Sequence, residues 1–285
     1  MDRRAKTKNH TFVKIIQNDL RYGIVRSWKY YIPLLIVMLF FFAFFRNSAV
    51  LTQQIHHFTE KITFQNYIIE FLKGMPEFHA YDVNARFEVP AGWLFFYLWN
   101  ACLIAMYPER ERKTNRRYLI LQCQSRKLWW LGKCIWCMAG NLVSVLTMLL
   151  SAAPFAFMQS DGSGGIAAVT FQYLDGVNFT GIDKTWVGCF AFQAFLVLCG
   201  LSILQAAVTL YTRPIAGFLF IACILIISAY YLSPYLPGNY LMLLRMKEFS
   251  ENGGVTIAGG IMAGSMMCVL GAGIGCFKVR KMDIL

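Results

Sequence analysis

The sequence predicts an all-α integral membrane protein with six transmembrane helices, and three observations predict it. Hydrophobic residues make up 57% of the chain against 15% charged, and the mean hydropathy of +0.48 lies outside the range of soluble domains. Six apolar runs of roughly membrane-spanning length recur, at about 30–45, 91–107, 134–158, 186–211, 215–232 and 255–277, and none contains Asp, Glu, Lys, Arg or His. The runs are continuously apolar rather than alternating with period two, so each is expected to satisfy its own backbone as a helix and not as a strand of a barrel.

The net charge of +12 is distributed unevenly. With the N-terminus placed in the cytoplasm, the inner segments carry 20 of the 27 Lys and Arg residues and only 5 of the 15 acids. This bias predicts both termini inside and a basic surplus that faces anionic lipid, so nucleic acid is not an expected partner. All nine cysteines fall in predicted spans or in the inner loop that follows the second span, which excludes an outer disulfide framework. Cys134 and Cys137 form a C-x-x-C at the start of the third span, where two small lipid- or helix-facing residues are the simpler reading than a redox or metal pair. No cleavable signal pattern precedes the first run.

Residues 10–28 place Phe12, Ile16, Leu20 and Ile24 four apart, which predicts an amphipathic helix on the inner membrane surface. An ordinary basic juxtamembrane anchor is the plainer alternative. Trp28, Tyr30 and Tyr31 mark the interface, and Pro33 sits in the first turn of span one. The first outer loop, Arg46 to Glu88, holds an apolar face of Phe64, Ile68, Phe71 and Leu72, which predicts a short helix lying on the surface. Its histidines, His56, His57 and His79, have no acid or Cys at ligand spacing, so no metal site is expected.

Span two follows Pro90, is rich in aromatics and is closed by Pro108; Trp93, Phe96 and Trp99 are its candidates for lining a path for greasy cargo, against ordinary helix packing. Pro154 should kink the outer end of span three. The second outer loop, Gln159 to Thr185, is rich in Gly, Asp and Ser and reads as flexible; it contains the sequon Asn178-Phe-Thr180. Thr212-Arg213-Pro214 joins spans four and five as a tight inner hairpin, and Tyr240 to Met246 suggests another short outer helix. Span six carries Gly260, Gly264, Gly271 and Gly275 in two G-x-x-x-G pairs, which predict close helix packing, within the bundle or between two copies.

Residues Glu109 to Lys133, ERERKTNRRYLILQCQSRKLWWLGK, form a basic island between spans two and three, with eight Lys or Arg among twenty-five residues. Its acids come first, where a helix N-terminus favours them; an apolar patch from Tyr118 to Cys123 follows, then Ser125-Arg126-Lys127 and the pair Trp129-Trp130. A short, partly apolar helix held at the membrane by cations would suit a groove on a cytoplasmic partner. The absences are equally informative. Spans without ionisable groups argue against ion-coupled transport. No H-E-x-x-H, membrane aspartate pair or activated serine supports an intramembrane protease, and no Walker A sequence binds nucleotide in this chain.

In this order of elements the chain resembles the permease subunits of ATP-binding cassette (ABC) transporters, the type-2 ABC exporter permease family. The motif part of the resemblance rests on Glu109-Arg-Glu111, Thr114, Leu119 to Leu121, Ser125-Arg126 and Gly132-Lys133. It departs from the family where Lys113 replaces a glycine and Cys123 a proline. The resemblance implies a single permease domain, 1–285, in which 10–28 is a connecting helix and the loop 109–128 holds a coupling helix. It implies two ABC ATPase subunits as partners, which carry the ATP and Mg, and a second permease copy or a sister permease. It also implies Glu109, Glu111, Arg117, Ser125, Arg126 and Lys127 as polar contacts to the ATPase, with Leu119 and Leu121 as apolar anchors.

No catalytic residue, metal or cofactor is expected in the chain itself. The expected setting is the plasma membrane of a bacterium, Gram-positive by preference. The expected cargo is amphipathic or hydrophobic, an antimicrobial or cytolytic peptide by best fit to spans rich in Phe, Trp and Met. The alternative is a non-transporting immunity or sensor protein that binds peptides through its outer loops.

Overall fold

The computed structural model describes residues 2–78, 87, 89–113, 126–158, 165–179, 181–250 and 253–281. Among these the regular structure is all helical, without strands. The helices are α1 (Asp2–Gly23), α2 (Ile32–Ile55), α3 (Phe64–Leu72), α4 (Ala91–Lys113), α5 (Arg126–Phe157), α6 (Ala168–Asp175), α7 (Lys184–Tyr211), α8 (Pro214–Tyr230) and α9 (Ile257–Lys281). A 3-10 elbow, Val25–Tyr31, joins α1 to α2, and two more 3-10 turns, Pro237–Leu241 and Leu243–Arg245, lie between α8 and α9. Four stretches are long and apolar enough to cross a membrane: Phe12–Ile55, Arg126–Phe157, Lys184–Tyr211 and Ile257–Lys281. Two shorter apolar helices, Ala91–Met106 and Pro214–Tyr230, accompany them. At 1.5 Å per residue α8 is about 25 Å long, less than the roughly 30 Å hydrocarbon core.

The most extensive contact in the bundle is α7 against α9. Here backbones meet directly. A Cβ on Gly264 would lie 2.9 Å from the Val197 nitrogen, and one on Gly200 would lie 2.9 Å from the Gly264 oxygen. Gly260 and Gly271 face the same helix, at Gln193 and at Ile203 with Leu204, whereas Gly275 faces Trp130 of α5. The glycine stripe of the last helix is therefore occupied within this chain. Its opposite face, with Met262, Met266 and Val269, is exposed.

α1, the start of α5 and the end of α9 share one end of the bundle, here called the basic end. α3, α6 and the later 3-10 turns cover the other, here called the capped end. The cap is more ordered than the sequence suggests. α2 runs ten residues past the predicted limit of span one, carrying Arg46 within the helix. α3 is not a surface helix: Tyr67, Ile69, Phe71 and Leu72 are buried, with Asn66 and Glu70 beside them. Tyr67 is edge-on to Phe42 and Phe45, and Phe71 packs on Phe96 at 4.8 Å. Of the predicted apolar face, Phe71 and Leu72 are buried, Ile68 is half-buried and Phe64 is exposed, and the burial extends beyond it to Asn66, Tyr67, Ile69 and Glu70.

The loop read as flexible contains α6. Its own N-cap position is Ala167, which has no side-chain acceptor. The orphan N–H groups are instead served from the first loop: Glu60 accepts from Thr170 N and Oγ1, both at 2.8 Å, and Asn66 Oδ1 accepts from Ala167 N at 3.0 Å. Gly176, at φ 69, closes the helix in the left-handed conformation. Lys73 then ties α3 to α6, with Nζ 2.8 Å from Glu70 and 2.8 Å from Asp175. Burial pushes the Glu70 carboxyl up, partly offset by Lys73. Burial opposes the Lys73 ammonium, but the two carboxylates outweigh it and hold its pKa above the ordinary lysine value. Asp183 caps α7 by accepting from Lys184 N and Thr185 Oγ1, bonds that lower its pKa.

Other expectations shift locally. The 240–246 stretch forms two 3-10 turns rather than a helix, buried from Tyr240 to Met246. α4 passes through Pro108 to Lys113, since a proline removes one backbone bond without ending a helix already running. Pro154 lies inside the last turn of α5.

Candidate functional site

At the basic end, α1 lies against the start of α5 on a line of Ile15, Asp19 and Gly23, four residues apart. This is a neighbouring face to the predicted stripe; Phe12, Ile16, Leu20 and Ile24 flank it, half-buried. The reason is Asp19. Its side chain is 2% exposed, and Oδ1 lies 2.7 Å from Lys133 Nζ, itself 8% exposed. Gly132 lets the two helices approach, since a Cβ there would sit 3.3 Å from Ile15 Cγ2. Lys133 also stands 5.3 Å from the centre of the Trp129 ring. A buried ion pair with these supports orients two helices; broken, it leaves a charge in a site that water does not reach.

The next turn of α5 grips α9. The Trp130 ring occupies the notch left by Gly275, and its Nε1 donates to the Ala272 carbonyl at 3.0 Å. Arg126 Nη1 donates to Arg280 O at 3.2 Å, placing a cation at the C-terminal end of α9, where the helix dipole favours it. Cys134 and Cys137 are buried in the apolar cluster around Trp130, and among the described residues no group of His, Cys, Asp or Glu could hold a metal ion. The first two turns of α5 are thus clamped on one side to α1 and on the other to α9. They follow directly on the basic loop.

Toward the middle of the bundle lies a second polar constellation, which joins α4, α5 and α7. Asn100 Nδ2 donates to Asn141 Oδ1 at 2.6 Å, and Ser144 Oγ donates to Asn100 Oδ1 at 2.7 Å. Ser202 donates to Asn141 Oδ1 at 3.1 Å, Asn141 Nδ2 points to Cys199 Sγ at 3.6 Å, and Gln205 Nε2 donates to Ala101 O at 2.7 Å. Asn100, Asn141, Ser144, Ser202 and Gln205 are all buried. Two voids of about 10 Å³ each border Asn100, one toward Ser27 and Tyr31, the other toward Ser202 and Gln205. Asn141→Leu is expected to destabilise the bundle by about 1–3 kcal/mol and Ser144→Ala by roughly 0.6 kcal/mol, checked by unfolding of the purified chain in micelles.

The predicted site residues distribute as follows. Arg126 and Lys127 open α5, Arg126 at α9 and Lys127 exposed. Glu109 and Glu111 fall in the last turns of α4. Arg117, Leu119, Leu121 and Ser125 lie outside the described residues. Trp93, Phe96 and Trp99 each have packing partners. Trp93 Nε1 donates to Leu241 O at 3.0 Å, Phe96 is buried against Phe71, and Trp99 Nε1 donates to Tyr30 O at 3.0 Å, tying α4 to the elbow. Sequence reasoning missed Asp19, Asn100 and Asn141. Asp19 did leave a signal, as the single acid among the eight cations of the first 29 residues after Asp2.

Comparison with family models, with curated proteins and with solved structures finds no match to this chain.

Proposed function

We propose that this chain is the membrane-spanning permease subunit of an ATP-driven exporter of the ABC type, working with separate ATPase subunits that bind ATP and Mg. In this reading all six apolar helices cross the membrane, both termini are cytoplasmic, and the loop between α4 and α5 docks on the ATPase. The observation that carries it is the double clamp on the start of α5. A push on the loop would reach α1 through Lys133 and Asp19 and α9 through Trp130 at Gly275, so one contact would move three helices together. The cargo is amphipathic or hydrophobic, an antimicrobial or cytolytic peptide by best fit, since the spans offer amides, hydroxyls and aromatic rings but no charge. A second permease copy or a sister permease completes the path, in a bacterial plasma membrane.

The test co-expresses the chain with an ABC-type ATPase subunit encoded in the same genome. Arg117→Glu and Lys127→Glu combined with Leu119→Ala and Leu121→Ala should abolish co-purification of the ATPase and ATP-dependent release of peptide from inverted vesicles. Wild-type association and release in that variant would overturn the docking assignment. Peptide resistance that survives deletion of the ATPase would overturn export itself, in favour of a protein that binds peptide without moving it.

A further inference from the structure

Arg245 is fully buried at the capped end, an unusual place for a guanidinium with no carboxylate in ion-pair contact among the described residues. Its Nε donates to Met75 O at 3.1 Å and its Nη2 to Ala229 O at 2.8 Å, near the C-terminus of α8, where the helix dipole favours a cation. Its Nη1 is buried and has no hydrogen-bond partner among the described residues. Glu77 acts on it electrostatically, but burial dominates and lowers its pKa to about 10. Two neutral carbonyls and a helix end are weak compensation for a full charge, and buried polar groups are nearly always satisfied. A purely structural clamp would use the two carbonyl bonds and would not need the third nitrogen or the charge.

What stands beside it is equally specific. Met75 is followed three residues on by Phe78, and Ala229 is followed at once by Tyr230. These two rings and Phe87 form a mutual cluster with centroids 5.1 to 5.6 Å apart. Tyr231, edge-on to Tyr230 at 4.8 Å, is 60% exposed, and Phe87 is 38% exposed. The ring cluster therefore stands on the same two chain segments as the carbonyls that hold the cation, with Phe87 partly at the surface of the cap. We propose that Arg245 and the Phe78–Phe87–Tyr230 cluster form a binding site for an anionic amphipath, whose carboxylate or phosphate accepts from the guanidinium while its apolar part lies on the rings.

In the present state the site is closed over the cation. Opening would draw the segment from Met75 to Phe78 away from the turn Leu243–Arg245, releasing the Arg245 bond to Met75 O, while Lys73 O still accepts from Leu244 N at 3.1 Å and anchors the segment's start. The anion would then replace the Met75 carbonyl with a charge-assisted bond. Under the proposed topology the site faces the outer side. It needs no ATPase, so its failure and the failure of the exporter reading are separable.

The experiment places the full chain in discs of neutral phosphatidylcholine and measures saturable binding of labelled dodecyl phosphate, dodecanoate and dodecanol. Both anions should bind at least about 10-fold more tightly than the alcohol. Arg245→Lys should keep most of that difference and Arg245→Gln should abolish it. Glu77→Gln, which removes the competing carboxylate and leaves the guanidinium in place, should tighten anion binding several-fold, and it serves should Arg245→Gln fail to fold. Competition by inorganic phosphate would identify a free anion as sufficient, whereas competition by phosphatidylglycerol in the disc would identify a lipid headgroup; either supports the anion site. Equal affinity for alcohol and anions, or anion binding indifferent to both Arg245→Lys and Glu77→Gln, would overturn it.

Discussion

Replacing Lys133 by Met is expected to destabilise the folded chain by about 3–5 kcal/mol, because it removes the ammonium from a buried carboxylate. Asp19 lies 2.7 Å from Lys133 and is almost without solvent contact, so water cannot take over the role of the lost partner. The double variant Asp19→Leu with Lys133→Met should recover to within about 1 kcal/mol of the parent, since a buried ion pair exchanged for apolar groups of similar size is close to neutral. Unfolding of the three proteins in micelles, with each single change and the pair, gives the coupling directly. Additive single and double effects would mean that the ion pair contributes nothing of its own. The same series separates stability from transmission. If the clamp passes motion from the loop to α1, the stable double variant should still bind the ATPase yet export more slowly, because an apolar contact fixes distance but not direction.

Gly264→Val is expected to separate α7 from α9, at a cost of about 1–3 kcal/mol. The added side chain would meet the backbone of Val197 and Leu196, together with Leu196 Cγ, and because backbone cannot turn aside the helices must move apart along their most extensive contact. Gly273→Ala is the control. A Cβ there meets nothing within 4 Å, and alanine in a helix interior should leave stability unchanged or raise it by up to about 1 kcal/mol. Thermal unfolding of both variants checks the ranking. Equal tolerance at 264 and 273 would show that the close approach of α7 and α9 is not required, and would leave the stripe free to pack against a second copy.

Much of the fold was legible because a membrane protein's helices are written as long apolar runs. The helices and their approximate limits follow from that pattern. What was harder to read is the polar part. Asp19 interrupts an amphipathic helix at a buried position, and the stripe of Phe12, Ile16, Leu20 and Ile24 points one step away from the true contact line. The arrival of Lys133, 114 residues later, helps make that position habitable for a carboxylate. Asn100 and Asn141 were passed over because a search for charge does not see amides. Glu60 and Asn66 cap a helix more than 100 residues away, and nothing near Ala167 announces it.

Local composition sets the class of molecule: all-helical, rich in apolar runs, basic at one set of loops and without ionisable residues within the apolar runs. These are properties of local composition, set by the cost of taking backbone and charge out of water. Tertiary structure alone decided which face of α1 is buried, that the cap is ordered around Lys73, and that α5 begins in a clamp between α1 and α9. It also decided where Arg245 lies, with one nitrogen unspent. Each of these depends on a polar group meeting a partner far away in the chain, and pairing at a distance leaves no local periodicity to read.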